Sequence, residues 1–472
     1  MTNSVLAQPG AQAQTPARLK AVLTIILVTY VMIVLDVSIV ITALPKMRQD
    51  FGFTPTSLSW VQNAYTLVFG GLLLLGARAG DILGRRRVFT VGLALFTFAS
   101  LAIGLAPSAD WLLVARAVQG AGAAVLAPST LSLLSTNFKE GQERTRALGF
   151  YAAAAGAGAS AGLVLGGMFA DWLSWRAGFF MNVPIGIGLI LAAKRYVDET
   201  PRRPGSFDLA GALTSTAGMG MLVYGIVRSA TSGWSDAWTL TSVIGGAVLI
   251  FCFFGIESRV RHPIMPLRLF ADRSRVSAYV ARMLFLGGMT GFWFFTTQML
   301  QNVLGLSPAL SGAAFLPTTI PNFLSAMAVS KLSRRFGSGP LLGIGLLLSI
   351  AGVFGLSLVT ANSSYLGSVA LPMILVGLGQ GMSLAPLTVA GVNGVAHEDA
   401  GAASGVVNAA HQLGGTLGLG IMVVVFAAAD NGMPAGASSL VHRIDTVFTA
   451  GAVMLGLAFL VALPLIRKPR VS

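Results

Sequence analysis

Residues 149–167 read GFYAAAAGAGASAGLVLGG, and residues 405–418 read GVVNAAHQLGGTLG. In each stretch a glycine is followed after eight residues by a second and after three more by a third. Gly149, Gly158 and Gly162 thus return as Gly405, Gly414 and Gly418, at an offset of 256. One such pair carries little in a chain with 57 glycines. Two further pairs keep nearly the same spacing: Pro128 in LAPSTL matches Pro386 in LAPLTV at 258, and Gly84 matches Gly337 at 253. Self-similarity at a steady period marks a structural unit used twice.

The composition says what kind of unit it is. Hydrophobic residues make up 54% of the 472 and charged residues only 10%, against about 25% charged in an ordinary soluble domain. The apolar residues come in runs of about twenty, enough to cross a hydrocarbon core of about 30 Å at about 1.5 Å per residue. Fourteen runs are read, centred near Ile33, Val68, Ala99, Val125, Ala159, Ile187, Gly218, Val248, Gly288, Ile320, Ile350, Val376, Leu417 and Leu457. The expected fold is all-α and polytopic, with 14 transmembrane helices. The repeat pairs helices 2–5 with helices 10–13, so helices 1–6 and 9–14 form two homologous six-helix bundles and helices 7 and 8 are inserted between them. The corresponding division is a tail at 1–20, a first bundle at 21–194, a linker with the inserted helices at 195–275, a second bundle at 276–466 and a tail at 467–472.

The net charge of +14 raises the question of nucleic acid, but the basic residues are spread among short connections and no basic arm interleaves with aromatics for base stacking. Sorted by alternate connections, 24 of the 31 Lys and Arg fall on one side and 5 on the other. The excess of basic residues belongs on the cytoplasmic side, which places both termini there. Arg116 and Arg282 alone remain within or at the edge of spans. Residues 1–17 lack the cationic start of a cleavable signal, and the first apolar run is long enough to stay as a span. Cys252 is the single cysteine, so no intrachain disulfide forms.

Five motifs carry a resemblance. GARAGDILGRRRVF, Gly76–Phe89, resembles the loop signature of the major facilitator superfamily through Asp81, Gly84, Arg85 and Arg86, and departs from it at Ala77, Ala79 and Ile82. Glycine supplies a tight turn there, and Asp81 is read as a latch that holds one conformer; a basic topogenic loop with an incidental Asp is the plainer alternative. A degenerate second copy lies at Lys331–Gly337, with Arg334 in the place of the Asp. In helix 4, Arg116, Gln119 and Gly120 match the family's Arg-x-x-Gln-Gly pattern. In helix 5, Gly149, Gly158, Gly162, Gly166 and Gly167 resemble the antiporter signature, with Leu163 where the family has proline. Gly158, Gly162 and Gly166 make one smooth face, which ordinary helix packing also explains. LDVSIVITALP, Leu35–Pro45, and SWRAGFFMNVPIG, Ser174–Gly186, resemble segments of the fourteen-helix drug:proton antiporter branch. The resemblance implies proton-driven export of drugs or other amphipathic or cationic small molecules from a bacterial inner membrane, as a multi-pass protein working as a monomer. Transport of one dedicated metabolite on the same scaffold is the alternative.

Asp36 is the one carboxylate read as deep within a span. Burial raises an acid's pKa and a nearby cation lowers it, so Asp36 is the candidate proton carrier, with a structural ion pair as the alternative. A deprotonated Asp36 would favour cationic substrate. Arg116 either serves function or snorkels to the interface, five residues beyond Trp111. Asp36 sits about 22 Å along helix 1 and Arg116 about 7 Å below the outer end of helix 4 at about 1.5 Å per residue, so the two are expected to share one polar cavity in the outward half, directly or through water, with Arg116 helping to return the Asp36 proton. His411, in NAAHQLGG where similar exporters carry Arg, is a second titratable candidate, or a neutral buried histidine. Phe292, Trp293, Phe294, Phe295 and Gln298, with Gln119, are candidates for an aromatic and polar substrate pocket, lipid-facing aromatics being the alternative. No HExxH, paired intramembrane carboxylates or P-loop is present, so no enzyme, cofactor or metal site is expected and the energy must come from an ion gradient or the substrate.

Overall fold

The computed structural model describes residues 16–138, 142–200, 208–260, 263, 265–360, 363–395, 400–430 and 436–466. Residues 1–15 of the expected 1–20 tail, the expected tail at 467–472, parts of the expected 195–275 linker (201–207, 261–262 and 264), Lys139 and the Asp81 side chain lie outside the described residues. Among the described residues every regular element is helical, as a chain must be when hydrocarbon leaves its backbone groups no water to bond.

Fourteen long segments follow in order: α1 Pro16–Phe51, α2 Trp60–Leu83, α3 Arg85–Gly104, α4 Ala109–Asn137, α5 Gln142–Met168, α6 Trp175–Tyr196, α7 Leu209–Ser232, α8 Ala237–Glu257, α9 Arg273–Gln298, α10 Pro308–Phe336, α11 Ser338–Leu356, α12 Tyr365–Val392, α13 Ala400–Ala428 and α14 Ala437–Ile466. Each apolar run read from the sequence is centred inside one of them. Thirteen are long and apolar enough to cross a membrane; α2 is the remaining one, packed along α4. Helix starts are set where polar side chains accept from the first turn: Ser108 from the Trp111 N–H, Asp208 from Gly211, Asp236 from Thr239, Asp272 from Arg275 and Ser307 from Leu310. Each satisfies one of the donors that a helix N-terminus leaves unpaired.

The repeat is visible in how the helices pack. In the first half α2 packs on α4, α3 on α4, α1 on α5 and α3 on α6; eight helices later α10 packs on α12, α11 on α12, α9 on α13 and α11 on α14. It is visible in the backbone as well. Gly84 between α2 and α3 has φ +100°, and Gly337 between α10 and α11 has φ +90°; Gly52 and Gly305, also 253 apart, have φ +67° and +65°. Only glycine takes such angles without strain. The helices α7 and α8 pack on each other, and α7 also touches α2 and α13.

The halves touch where α2 meets α13 and where α5 meets α10. Midway along, the Thr66 and Thr416 hydroxyls are 3.0 Å apart. At the end of the bundle remote from the chain termini, Gln301 donates to the Thr42 carbonyl at 3.0 Å, and the bare faces of Gly167 and Gly312 lie against Pro308 and Leu163. Close approach of small residues is what draws membrane helices together.

Asp445 also falls within a long apolar helix, Ser438–Ile466, but near its start, because α14 begins well before its apolar run, with His442, Arg443 and Asp445 on its early turns.

Candidate functional site

The glycine stripe of α5 determines where α1 lies. A Cβ at Gly162 would sit 2.6 Å from Ser38 Cβ and 2.9 Å from the Leu35 carbonyl, and one at Gly166 would sit 2.6 Å from Ile39 Cα. These glycines therefore draw the Leu35–Ile39 turn against α5, and Asp36 points to the opposite side of α1, toward α4 and α6.

There Asp36 meets Arg116 of α4. Arg116 Nη1 donates to Asp36 Oδ2 at 2.9 Å, and both side chains are 1% exposed. Gln119 Nε2 and Asn182 Nδ2 donate to Asp36 Oδ1 at 2.8 and 2.9 Å. Gln119 also bonds Arg116 and, at 2.9 Å, Ser100 Oγ of α3. Arg116 Nε donates to the Val61 carbonyl of α2 at 3.0 Å, and its guanidinium lies 4.4 Å from the Tyr65 ring centroid. Five helices, α1, α2, α3, α4 and α6, are thus joined through one carboxylate and one guanidinium. Every partner of Asp36 is a donor, which suits the ionised carboxylate. The two charges meet directly, in a sealed contact, and Arg116 is wholly buried rather than snorkelling.

The sequence pointed to Asp36, Arg116 and Gln119, the last through the Arg-x-x-Gln-Gly pattern and as a pocket candidate. It missed Ser100, Tyr65 and Asn182. Asn182 lies inside the quoted SWRAGFFMNVPIG stretch, and its burial in an apolar run was the available signal.

His411 lies in the other half. Arg282 of α9 places Nη2 3.2 Å from His411 Nδ1 and donates through Nη1 to Thr388 Oγ1 of α12 at 2.8 Å and to the Leu384 carbonyl at 3.4 Å. Phe294 and Gln298 are buried in the second half, where Phe292 and Phe295 also pack, and Trp293 is partly buried against Phe315.

The loop after α2 turns on Gly84, whose bare face lies 2.6 Å, measured from an added Cβ, from Glu199 Oε1. Glu199 accepts from the Arg86 and Arg87 backbone N–H groups, each at 3.1 Å, the placement an anion takes at a helix N-terminus. Arg85 N–H donates to Thr200 Oγ1 at 3.1 Å, and Arg18 of α1 bonds Asp198 and the Tyr196 carbonyl. The segment 196–200 therefore clasps the starts of α1 and α3, a role the sequence did not reveal. Among the described residues no group of three His, Cys, Asp or Glu gathers to hold a metal.

Residues 26–419 match the family described as Major Facilitator Superfamily. The chain is 40% identical over 434 residues to the cephamycin export protein of Amycolatopsis lactamdurans, covering 91% of this chain and 89% of that one. It is 38% identical to the puromycin resistance protein of Streptomyces alboniger, over 85% and 81% of the two chains. It is 34% identical to the tetracenomycin C resistance and export protein of Streptomyces glaucescens, over 89% and 79%. Among solved structures, a bacterial homolog of the human lysosomal transporter Spinster, inward-facing and unoccupied, superposes with a TM-score of 0.69 at 16% identity, covering 97% of this chain and 100% of that one. That likeness concerns the fold alone.

Proposed function

The chain belongs to the major facilitator superfamily, a family of transporters and not of enzymes, and on that premise we propose that it exports amphipathic, drug-like small molecules by alternating access, driven by protons. In this reading all fourteen helices cross a bacterial inner membrane with both termini in the cytoplasm. The two bundles are those of residues 21–194 and 276–466, and they rock about a site near the midplane.

The observation that carries the proposal is the sealed Asp36–Arg116 pair with its Gln119 and Asn182 donors. A buried ion pair contributes little net stability over apolar packing, and intramembrane ionisable groups commonly mark ion pathways. Protonating Asp36 cancels its charge and frees Arg116 to find other partners, so the two protonation states favour different packings of α1 on α4 and α6. A proton then shifts the equilibrium between conformers through that difference. With its charge matched by Arg116, Asp36 carries the proton and not the substrate. The relatives named for export of or resistance to particular compounds favour a natural product or antibiotic as cargo, and a single dedicated compound is the second reading.

The test is reconstitution in proteoliposomes with an imposed pH gradient and a panel of chemically unrelated amphipathic compounds. Proton flux elicited by several of them supports drug export; flux with one alone supports the dedicated transporter; none rejects proton coupling.

A further inference from the structure

Among the described residues three arginines are buried in the helices: Arg275, at the first turn of α9, is held by the Leu269, Asn393 and Gly394 carbonyls, whereas Arg116 and Arg282 lie deeper. Arg116 has Asp36. Arg282, 6% exposed, makes no ion pair among the described residues, and its partners Thr388, His411 and the Leu384 carbonyl are all neutral acceptors. A guanidinium has five N–H donors and cannot be deprotonated in a protein. Three are used here; Nε has no partner, and Nη2 keeps one N–H. Those two nitrogens share the edge that a carboxylate meets with two parallel bonds. Since Arg282 must donate, His411 Nδ1 accepts, which leaves the Nε2–H of a neutral ring as a further donor. Thr388 and His411 are only partly buried, so the cluster opens on their side.

The fold itself does not ask for a cation at this corner. Thr388 stands 258 residues after Thr130, the spacing of Pro386 and Pro128. In the first half the equivalent corner of α1, α4 and α5 is filled by Thr130, whose hydroxyl is 3.0 Å from that of Tyr151, and by Tyr30 stacked on Tyr151 at 3.8 Å. The same three-helix junction thus packs with no charge. A buried charge with no counter-charge is expensive, and its retention here calls for a partner that arrives from outside the chain.

Resting on the transport reading above, we infer that Arg282, with His411 and Thr388, is a binding site for the anionic group of a small amphipathic carboxylate, which supplies the counter-charge that Arg282 lacks among the described residues.

The experiment is equilibrium binding to the full chain in nonionic micelles, with no gradient, using radiolabelled 2-naphthoxyacetate and its neutral amide. At pH 7 the carboxylate should bind at least about tenfold more tightly, as a pair of charge-assisted bonds worth about 1.4 kcal/mol or more requires. Arg282→Gln should abolish that preference by weakening the carboxylate alone, and Arg282→Lys should keep part of it. Equal affinities in the unmodified protein, no carboxylate binding up to about 1 mM, or an intact preference in Arg282→Gln would overturn the site. Should Arg282→Gln not fold, the unmodified protein and Arg282→Lys still decide, a full loss of preference in the latter being unexpected. Carboxylate-selective binding without pH-driven flux would keep the site and reject proton coupling. Flux without that selectivity would do the reverse.

Discussion

The side chains of Asp36 and Arg116 meet at 2.9 Å across eighty positions of sequence, wholly enclosed by the first bundle. Removing one partner from such a pair leaves a bare buried charge, at a cost of about 3–5 kcal/mol. Arg116→Gln should therefore lower thermal stability more than the double variant Asp36→Asn with Arg116→Gln, which removes both charges. Asp36→Asn should insert in the membrane yet lose pH-driven transport by at least about tenfold, the loss expected of a missing proton carrier. Transport by that variant at the parental rate would exclude Asp36 from coupling.

Asn182 is the test of whether the donors around Asp36 tune turnover. Replacing it with Ala removes one bond to Asp36 Oδ1, worth about 1.5–3 kcal/mol for a charged acceptor. We expect a slower maximal rate with KM unchanged, because Asn182 is wholly buried and its side chain is spent on Asp36. An altered KM at a normal maximal rate would place Asn182 in substrate binding instead.

The residues that were legible in the sequence share one property: their signal is local or periodic. Runs of apolar residues locate each of the fourteen helices, and the spaced glycines of α5 and α13 reveal the repeat, because helix packing needs small residues at fixed intervals. Asp36 and Arg116 stand out since charge is rare in spans. Asn182 and Ser100 do not, since uncharged polar residues are common there and only the meeting of α3 and α6 gives these two a shared partner. The clasp of Glu199 on α3 was hidden for the same reason, joining residues 113 and 112 positions apart. Arg282 was noticed as a leftover charge, but its pairing with His411 spans 129 positions.

Glu199 caps α3 from a distance in sequence. Glu199→Ala leaves the Arg86 and Arg87 amides without their acceptor, a loss of about 1 kcal/mol by analogy with other helix caps. Hydrogen exchange at those amides should rise about fivefold, as about 1 kcal/mol implies, with exchange in the α9–α14 half unchanged. Unaltered exchange at residues 86 and 87 would mean that the clasp contributes nothing.

Asp236 starts α8 and pairs with Arg228 at 2.7 Å. Its bond from Arg228, then those from Thr239, hold its carboxyl down to about 2, below the unfolded value of about 3.9. A depressed acid stabilises the fold above its unfolded pKa and loses that contribution as pH falls toward the folded one. The difference in melting temperature between the parent and Asp236→Asn should thus be constant from about pH 5 to 8 and shrink only between about pH 4 and 2. A difference that varied between pH 6 and 8 would point to another titrating group.

The glycines of α5 differ in what surrounds them, and that difference makes the repeated motif testable residue by residue. An added Cβ at Gly149 meets nothing within 4 Å, whereas at Gly158 the nearest atom of Val31 is 3.5 Å away, an ordinary contact. At Gly162 and Gly166 the nearest atoms are 2.6 Å away and include the α1 backbone, which cannot turn aside as a flexible side chain can. Alanine at Gly149 and Gly158 should therefore leave transport close to parental. At Gly162 or Gly166 it must push α1 outward, costing about 1–3 kcal/mol in the manner of overpacked cores, and must shift Asp36 relative to Arg116. Pre-organised charge pairs lose their function with displacements of about 1 Å, so transport in these two variants should fall by at least about tenfold while the protein still inserts. Equal effects at all four positions would mean that the stripe acts through helix propensity rather than through the seating of α1.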